Sequence, residues 1–217
     1  MRAYKALFKI EAKLSLRGMD MVIFALCMPL VVAVILGGVF GGKPAFEGAG
    51  YTFLEQSFGA VAAIAICAGG VMGLPLVISD YRGKKILRRF QVTPTSPAVL
   101  LLVQVAIYAL YAFASLVLVF AASTLLFGMR FLGSVPTFLG AYLLVMVSMF
   151  SIGVLVGGLA KDMKAAGVLA SLLYFPMLVF SGATLPYEVM PPVMQRVADA
   201  MPLTQGIKLL KAAALGL

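Results

Sequence analysis

The stretch DYRGKKILRRFQVTPTSP, residues 80 to 97, is the longest strongly charged interval between two long apolar runs of this chain. It sets five basic residues against the single acid Asp80, and residues 60 to 79 and 98 to 127 on either side contain no charge. A partner in water would meet the protein at this interval, because the flanking runs are apolar enough to lie in lipid.

The composition predicts a polytopic membrane protein. Hydrophobic residues make up 63% of the 217 residues and charged residues 12%, whereas soluble domains have roughly 45–50% and about 25%. The net charge of +9 does not indicate a nucleic-acid partner, because the basic residues lie in short segments beside apolar runs, as the positive-inside rule describes.

The fold class is predicted to be all-α, with one transmembrane domain over residues 1–217. The apolar runs at 20–40, 58–79, 98–127, 135–160 and 165–182 have about the length needed to cross ~30 Å of hydrocarbon. Pro29, Pro75 and Pro176 lie inside these spans and would kink their helices. The patterns Gly69xxxGly73 and Gly153xxxGly157 offer small faces for helix packing.

Residues 1–18 form a basic segment before the first span. Lys5, Lys9, Lys13 and Arg17 recur about one helical turn apart, which indicates an amphipathic interfacial helix with its basic face toward anionic lipid headgroups. A neighbouring apolar stripe contains Leu7, Ile10 and Leu14. The alternative is a solvated basic face without a lipid role.

The distribution of lysine and arginine predicts the orientation. The N-terminal helix, the 80–97 interval and the connection with Lys161 and Lys164 carry more basic residues than the other connections. We therefore expect the N-terminus in the cytoplasm and, with five spans, the C-terminus outside.

No Asp, Glu, Lys, Arg or His lies in the interior of the five spans, and the chain has no histidine. Ion-coupled carriers need such groups at membrane depth, so the sequence shows no means of powering transport by itself. It also shows no catalytic set and no metal site, and the chain is predicted not to be an enzyme. Cys27 and Cys67 are expected to be buried small hydrophobes.

The run GGVFGGKP at residues 37 to 44 is similar to a phosphate-binding loop. Gly37, Gly42 and Lys43 have the right spacing, but Pro44 stands where the loop needs a hydroxyl for Mg²⁺. We interpret the run as a glycine-rich turn at the end of the first span.

The charged interval itself predicts a short cytoplasmic helix. If residues 81 to 90 are helical, Ile86 and Phe90 share one side with Leu87 beside them, and Pro94 and Pro97 end the helix and begin the next span. An apolar tip with basic flanks suits docking into the groove of a partner. The alternative is a loop whose charges only fix the topology.

Two stretches carry a resemblance to the permeases of type-2 ABC exporters. The first matches their coupling helix between the second and third membrane helices, in Asp80, Arg82, Lys84, Lys85, Leu87, Phe90, Thr93 and Pro94. The second, FSGATLPYEVMPPVMQRVADAMPLTQGIKLLKAAALG from Phe180 to Gly216, resembles their extracellular re-entrant hairpin, with Ser181, Gly182, Pro186, Pro191 and Pro202 at its turns and Pro202, Leu203 and Thr204 as its PLT motif.

The resemblance implies a subunit that works with two copies of a separate ATPase and pairs with a second permease, as a homodimer or heterodimer. ATP and Mg would bind the ATPase, and this chain would hold no cofactor of its own. Ile86, Leu87 and Phe90 would form the docking surface, and the charged residues around it would be Arg82, Lys84, Lys85, Arg88 and Arg89. The hairpin at 183–216 would gate the exit of a hydrophobic or amphipathic substrate in a prokaryotic inner membrane.

The sequence departs from the family in two places. Lys211 stands near a position that is usually arginine, and a sixth membrane helix is expected where the sequence ends at Leu217. We therefore expect a truncated product or a fragment. The rival hypothesis is a non-transporting assembly or immunity subunit of the membrane, for which the basic interval would bind no ATPase.

Overall fold

The computed structural model describes residues 2–19, 22–40, 42–46, 50–90, 96–181 and 190–216, with the side chains from Tyr4 onward. Its helices, numbered in chain order, are α1 Arg2–Gly18, α2 Val22–Phe40, α3 Phe53–Gly83, α4 Ile86–Phe90, α5 Pro97–Phe127, α6 Val135–Leu159, α7 Met163–Phe180, α8 Pro192–Asp199 and α9 Pro202–Leu215. In this part of the chain five helices, α2, α3, α5, α6 and α7, are long and apolar enough to cross a membrane. The predicted all-α membrane fold is confirmed.

Helix α3 forms the centre of the bundle. In its most apolar stretch 83% of the residues are buried, whereas in that of α7 only 17% are. Helix α3 packs against α2, α5, α6, α7 and α9. Its sequence allows this because residues 59 to 70 are mostly alanine and glycine, whose small side chains let neighbouring backbones approach closely.

Contacts at glycine set the distance between α3 and α6. A Cβ atom at Gly153 would overlap the carbonyl oxygen of Gly70, and one at Gly157 would lie 2.9 Å from Ile78 Cβ and 3.0 Å from Pro75 Cα. The Gly153xxxGly157 pattern therefore lies at a packing contact, as the sequence predicted. Gly37, from the loop-like run, lies in α2 against the ring of Phe127.

Helix α3 begins before the charge-free run at residues 60 to 79 and has a capped first turn. Thr52 and Glu55 form a capping box, in which Glu55 Oε2 accepts from the Thr52 amide at 2.7 Å and Thr52 Oγ1 accepts from the Glu55 amide at 3.2 Å. The other oxygen of Glu55 accepts from the Arg130 amide at 3.0 Å. The helix therefore begins at Phe53, five residues before the predicted span at 58–79, and its first turn is linked to the connection between α5 and α6.

Two of the three prolines inside spans follow a widened turn. Residues 22 to 27 of α2 and 68 to 73 of α3 are π-helical, and they precede Pro29 and Pro75. A proline in a helix lacks an amide hydrogen and clashes with the carbonyl four residues earlier. A π-turn displaces that carbonyl, so it relieves the clash without ending the helix.

The aromatic side chains gather at the Phe53 end of the bundle. Phe58 packs against Phe120, Phe131 and Phe138 with ring centroids 5.5 to 6.2 Å apart. Helix α9 lies at the same end, where Leu210 meets Gly59 and the Gly133 amide donates to the Ala214 carbonyl at 2.8 Å. With 14 residues, α9 is about 21 Å long, which is too short to cross the hydrocarbon core.

One surface expectation needs correction. Cys67 is buried as expected, but Cys27 is exposed on the surface of the bundle. On α1, Ile10 and Leu14 are 57% and 56% exposed, because the face toward the bundle is the neighbouring stripe with Leu7, Phe8, Glu11, Ala12 and Ser15. Ile10 and Leu14 of the predicted apolar stripe thus face away from the bundle, and the contact of this helix with lipid stays a prediction.

The Gly153 contact gives a matched pair of substitutions. We expect Gly153→Leu to destabilise the protein by about 1–3 kcal/mol or more, because the side chain would push α3 and α6 apart. Gly140→Leu, on the same helix with nothing within 4 Å of its Cβ, should have little effect. Thermal unfolding in detergent checks this, and equal melting temperatures for the two variants would contradict the packing argument.

The orientation can be tested with single cysteines in a Cys27→Ser, Cys67→Ser background. Val193, 73% exposed on α8, and Lys85, exposed beyond the other end of α3, lie at opposite ends of the bundle. From the distribution of basic residues, we expect an impermeant maleimide to label Val193→Cys in intact spheroplasts and Lys85→Cys only after permeabilisation. The reverse pattern would overturn the predicted orientation.

Candidate functional site

The predicted coupling residues lie where α3 ends. The chain turns at Lys84 and Lys85 between α3 and α4, and Lys85 has a left-handed φ of 57°. Residues 81 to 90 are therefore two helices and not one. The reason is local: Gly83 is a poor helix former, and a left-handed residue cannot continue a right-handed helix.

Helix α4 separates apolar and basic side chains. Ile86, Leu87 and Phe90 are half-buried, whereas Arg88 and Arg89 are exposed. Lys85 is exposed as well, and Lys84 is exposed but paired with Asp80 at 2.8 Å. The predicted residues Thr93 and Pro94 lie outside the described residues.

Arg82 turns away from α4 and toward the end of α6. One nitrogen of its guanidinium, Nη1, approaches the carbonyl oxygens of Gly157, Gly158 and Ala160, at 3.2 Å for Gly157 and 2.9 Å for Ala160. Gly157 and Gly158 have two of the last carbonyls of α6, which no helical amide can satisfy, and Ala160 directly follows the helix. A cation there also offsets the negative end of the helix dipole. Arg82 therefore links the end of α3 to the connection between α6 and α7.

Tyr81, which directly precedes Arg82, links α3 to two other helices. Its hydroxyl donates to Glu11 Oε2 at 2.6 Å, and the Gln104 side-chain amide donates to the same oxygen at 2.8 Å and to the Tyr81 hydroxyl at 2.6 Å. Gln104 is 4% exposed. This polar cluster joins α1, α3 and α5 at one point beside the predicted coupling residues.

Sequence reasoning missed the role of Glu11. It is the single acid among the basic residues of α1, and Gln104 is the one amide side chain in the charge-free third span. Glu11 is an acid in a basic segment, and Gln104 is an amide in an apolar one. These two exceptions are the sequence signal that could have marked them as candidates. Their pairing could not be inferred, because they lie 93 residues apart in sequence.

Lys5, Lys9, Lys13 and Arg17 are exposed on one side of α1. The Glu11 cluster lies on the side that faces the bundle. The helix is therefore anchored to α3 and α5 through Glu11 while its basic residues stay available to a charged surface.

The predicted gate residues lie at the opposite end of the bundle. Ser181 is 1% exposed and donates to the Leu178 carbonyl at 2.9 Å, and Thr204 approaches the Phe180 carbonyl at 3.4 Å. Pro191 and Pro202 are exposed where α8 and α9 begin. Gly182 and Pro186 lie outside the described residues. The structure thus brings Ser181 and the PLT motif close together.

These features define a multi-pass helical membrane protein, with the short helix α4 and its charged residues at one end of the bundle and the helices α8 and α9 at the other. Residues 2–215 match the family model described as ABC-2 type transporter. The chain belongs to this family.

Curated relatives agree with the family. The chain is 34% identical over 80 residues to the inner membrane transport permease YhhJ of Escherichia coli, which is 37% of this chain and 21% of that protein. It is 36% identical over 66 residues to nodulation protein J of Neorhizobium galegae, which is 30% of this chain and 25% of that protein. The matched part is thus about a quarter of each relative or less. No solved structure matches the chain.

The contacts of Arg82 predict a local effect on α6. Arg82→Ala should raise hydrogen exchange at the Ala160 amide, which bonds the Val156 carbonyl, by roughly tenfold, because charge-assisted hydrogen bonds contribute about 1.5–3 kcal/mol. Arg88→Ala removes an exposed guanidinium from α4 and should leave this exchange unchanged. Hydrogen–deuterium exchange of the peptide around residue 160 measures both, and identical rates would mean that Arg82 does not stabilise this end.

Proposed function

We propose that this chain is the membrane-spanning permease subunit of an ATP-driven exporter, and that α4 receives the motion of a separate ATPase. The observation that carries the proposal is the arrangement around Tyr81 and Arg82. Two adjacent residues at the end of α3, next to the start of α4, link α3 to three other elements of the bundle, α1, α5 and the end of α6. A force applied to α4 would therefore act on several spans at once.

The surface chemistry of α4 supports a protein partner on this segment. Leu87 and Phe90 keep part of their apolar surface accessible, and Lys85, Arg88 and Arg89 surround them with charge. An apolar centre with a charged rim is typical of a docking contact. Asp80, Lys84, Thr93 and Pro94 complete the proposed coupling segment.

The charge-free spans support a power source outside this chain. Interior charges are costly in lipid and mark proton or ion pathways, and the interiors of the five spans have none. ATP and Mg bound by a partner would supply the energy. We propose two ATPase copies and a pair of permeases, with a hydrophobic or amphipathic substrate leaving past the gate residues Ser181, Gly182, Pro186, Pro191 and Pro202.

The docking proposal has a direct test. Leu87→Asp combined with Phe90→Ala should abolish co-purification of the ATPase, because an acid at the centre of an apolar contact removes burial and adds an unpaired charge. Membrane insertion and thermal stability should be retained, since α4 has no buried residue.

A matched control applies the same kind of change at the other end of the bundle. Val193→Asp combined with Val197→Ala alters two exposed residues of α8, 73% and 46% exposed, and should leave ATPase capture intact. Unchanged capture by the α4 variant would reject the docking assignment and favour a non-transporting membrane subunit.

A further inference from the structure

A cleft of about 470 Å³ opens between α1, the last turns of α3 and α5. This volume lies within the range of roughly 300–1,000 Å³ that small-molecule sites occupy. Its lining runs from Asp80 to Gly73 along α3, which is about 10 Å at 1.5 Å per residue. The cleft therefore extends from the charged end of α3 into its apolar part.

The charged groups of the cleft lie together near that end. Glu11, Asp80 and Lys84 are the three charged residues among those that line it. Lys84 is paired with Asp80 at 2.8 Å, so the carboxylate of Glu11 leaves this wall with a net negative charge. The hydrogen bonds from Tyr81 and Gln104 hold that carboxylate in place.

The rest of the lining is aromatic and aliphatic. Tyr81 lines the cleft beside Glu11, and Tyr108, Leu76 and Val77 line it as well. Aromatic rings beside a carboxylate attract organic cations, because the negative ring faces and the carboxylate both lower the energy of a positive charge. An anion would be repelled at the same place, and a neutral apolar molecule would gain nothing from the carboxylate.

We propose that this cleft binds an amphiphilic organic cation, whose charge lies at Glu11 and Tyr81 and whose apolar body lies along Tyr108, Leu76 and Val77. The same chemistry is found in the ammonium headgroup of a membrane lipid and in a freely diffusing lipophilic cation. Transport of such a cation would rest on the function proposed above, whereas its binding to the cleft is independent of that function.

The test uses the purified chain in a neutral detergent with radiolabelled tetraphenylphosphonium. We expect saturable binding, and much weaker binding of tetraphenylborate, an anion of the same size and shape. Glu11→Gln should lower the phosphonium affinity about fivefold or more, as expected for loss of a partly exposed ion pair. The glutamine oxygen can still accept from Tyr81 and Gln104, so the helix contacts are retained.

Two further variants test whether phosphonium binding depends on the cleft itself. Asp199→Asn removes a carboxylate that is exposed and paired with Lys208 at 2.5 Å, and should bind like the unaltered protein. Ser15→Trp fills the cleft from α1 without changing its charge and should abolish binding. Equal phosphonium affinity for Glu11→Gln and the unaltered protein, or equally tight binding of tetraphenylborate, would overturn the proposal.

The lipid source is tested in nanodiscs. Weaker phosphonium binding in phosphatidylethanolamine than in a neutral galactolipid, which has the same net charge and no ammonium group, would identify the lipid ammonium group as a competitor for the same site. Equal binding in the two lipids, with the Glu11→Gln effect retained, would assign the site to the free cation. Because no ATPase is present, failure of this experiment leaves the docking test of α4 unaffected.

Discussion

The close packing of α3 against its neighbours is the constraint on which the rest of the structure depends. The helix has 31 residues and is therefore about 45 Å long. Glu55 ties one end to the connection between α5 and α6, and Tyr81 and Arg82 tie the other end to α1, α5 and α6. Packed interiors do not deform continuously, so a displacement of one end acts on every helix that α3 touches, except where the π-turn at 68 to 73 allows a bend.

Close packing and uncharged hydrogen bonds stabilise the middle of the bundle, whereas its charged contacts lie at the ends. Around mid-depth the contacts are glycine against backbone, as at Gly70 and Gly153, and the hydroxyls there bond backbone carbonyls: Ser148 and Ser151 on their own helix, and Tyr142 to Ala112 of α5 at 2.8 Å. Neither kind of contact requires a charge in lipid, where an unpaired polar group is costly. The charged contacts lie at Glu11, Arg82 and Glu55, near the ends of the spans.

This division explains which features the sequence could predict. Span number and helical class follow from the composition of each segment taken alone, and both were correct. The left-handed turn at Lys85, the inward direction of Arg82 and the pairing of Glu11 with Gln104 depend on residues brought together by the fold. The charge pattern around Arg82 predicted a docking residue. The side chain instead contacts carbonyls at the end of α6, and a local sequence pattern cannot show that these carbonyls lie within its reach.

The position of the cleft gives the two proposals a common physical basis. Asp80, Tyr81 and Lys84 line the cleft, and they also lie at the end of α3 directly before α4. A partner that moves α4 would change the shape of the cleft through these residues. A cation that prefers one of the two shapes would in turn change the affinity of the partner by the same factor, because coupling between binding sites is reciprocal. Occupancy of the cleft and docking on α4 would then be linked through Tyr81, without any charge inside the spans.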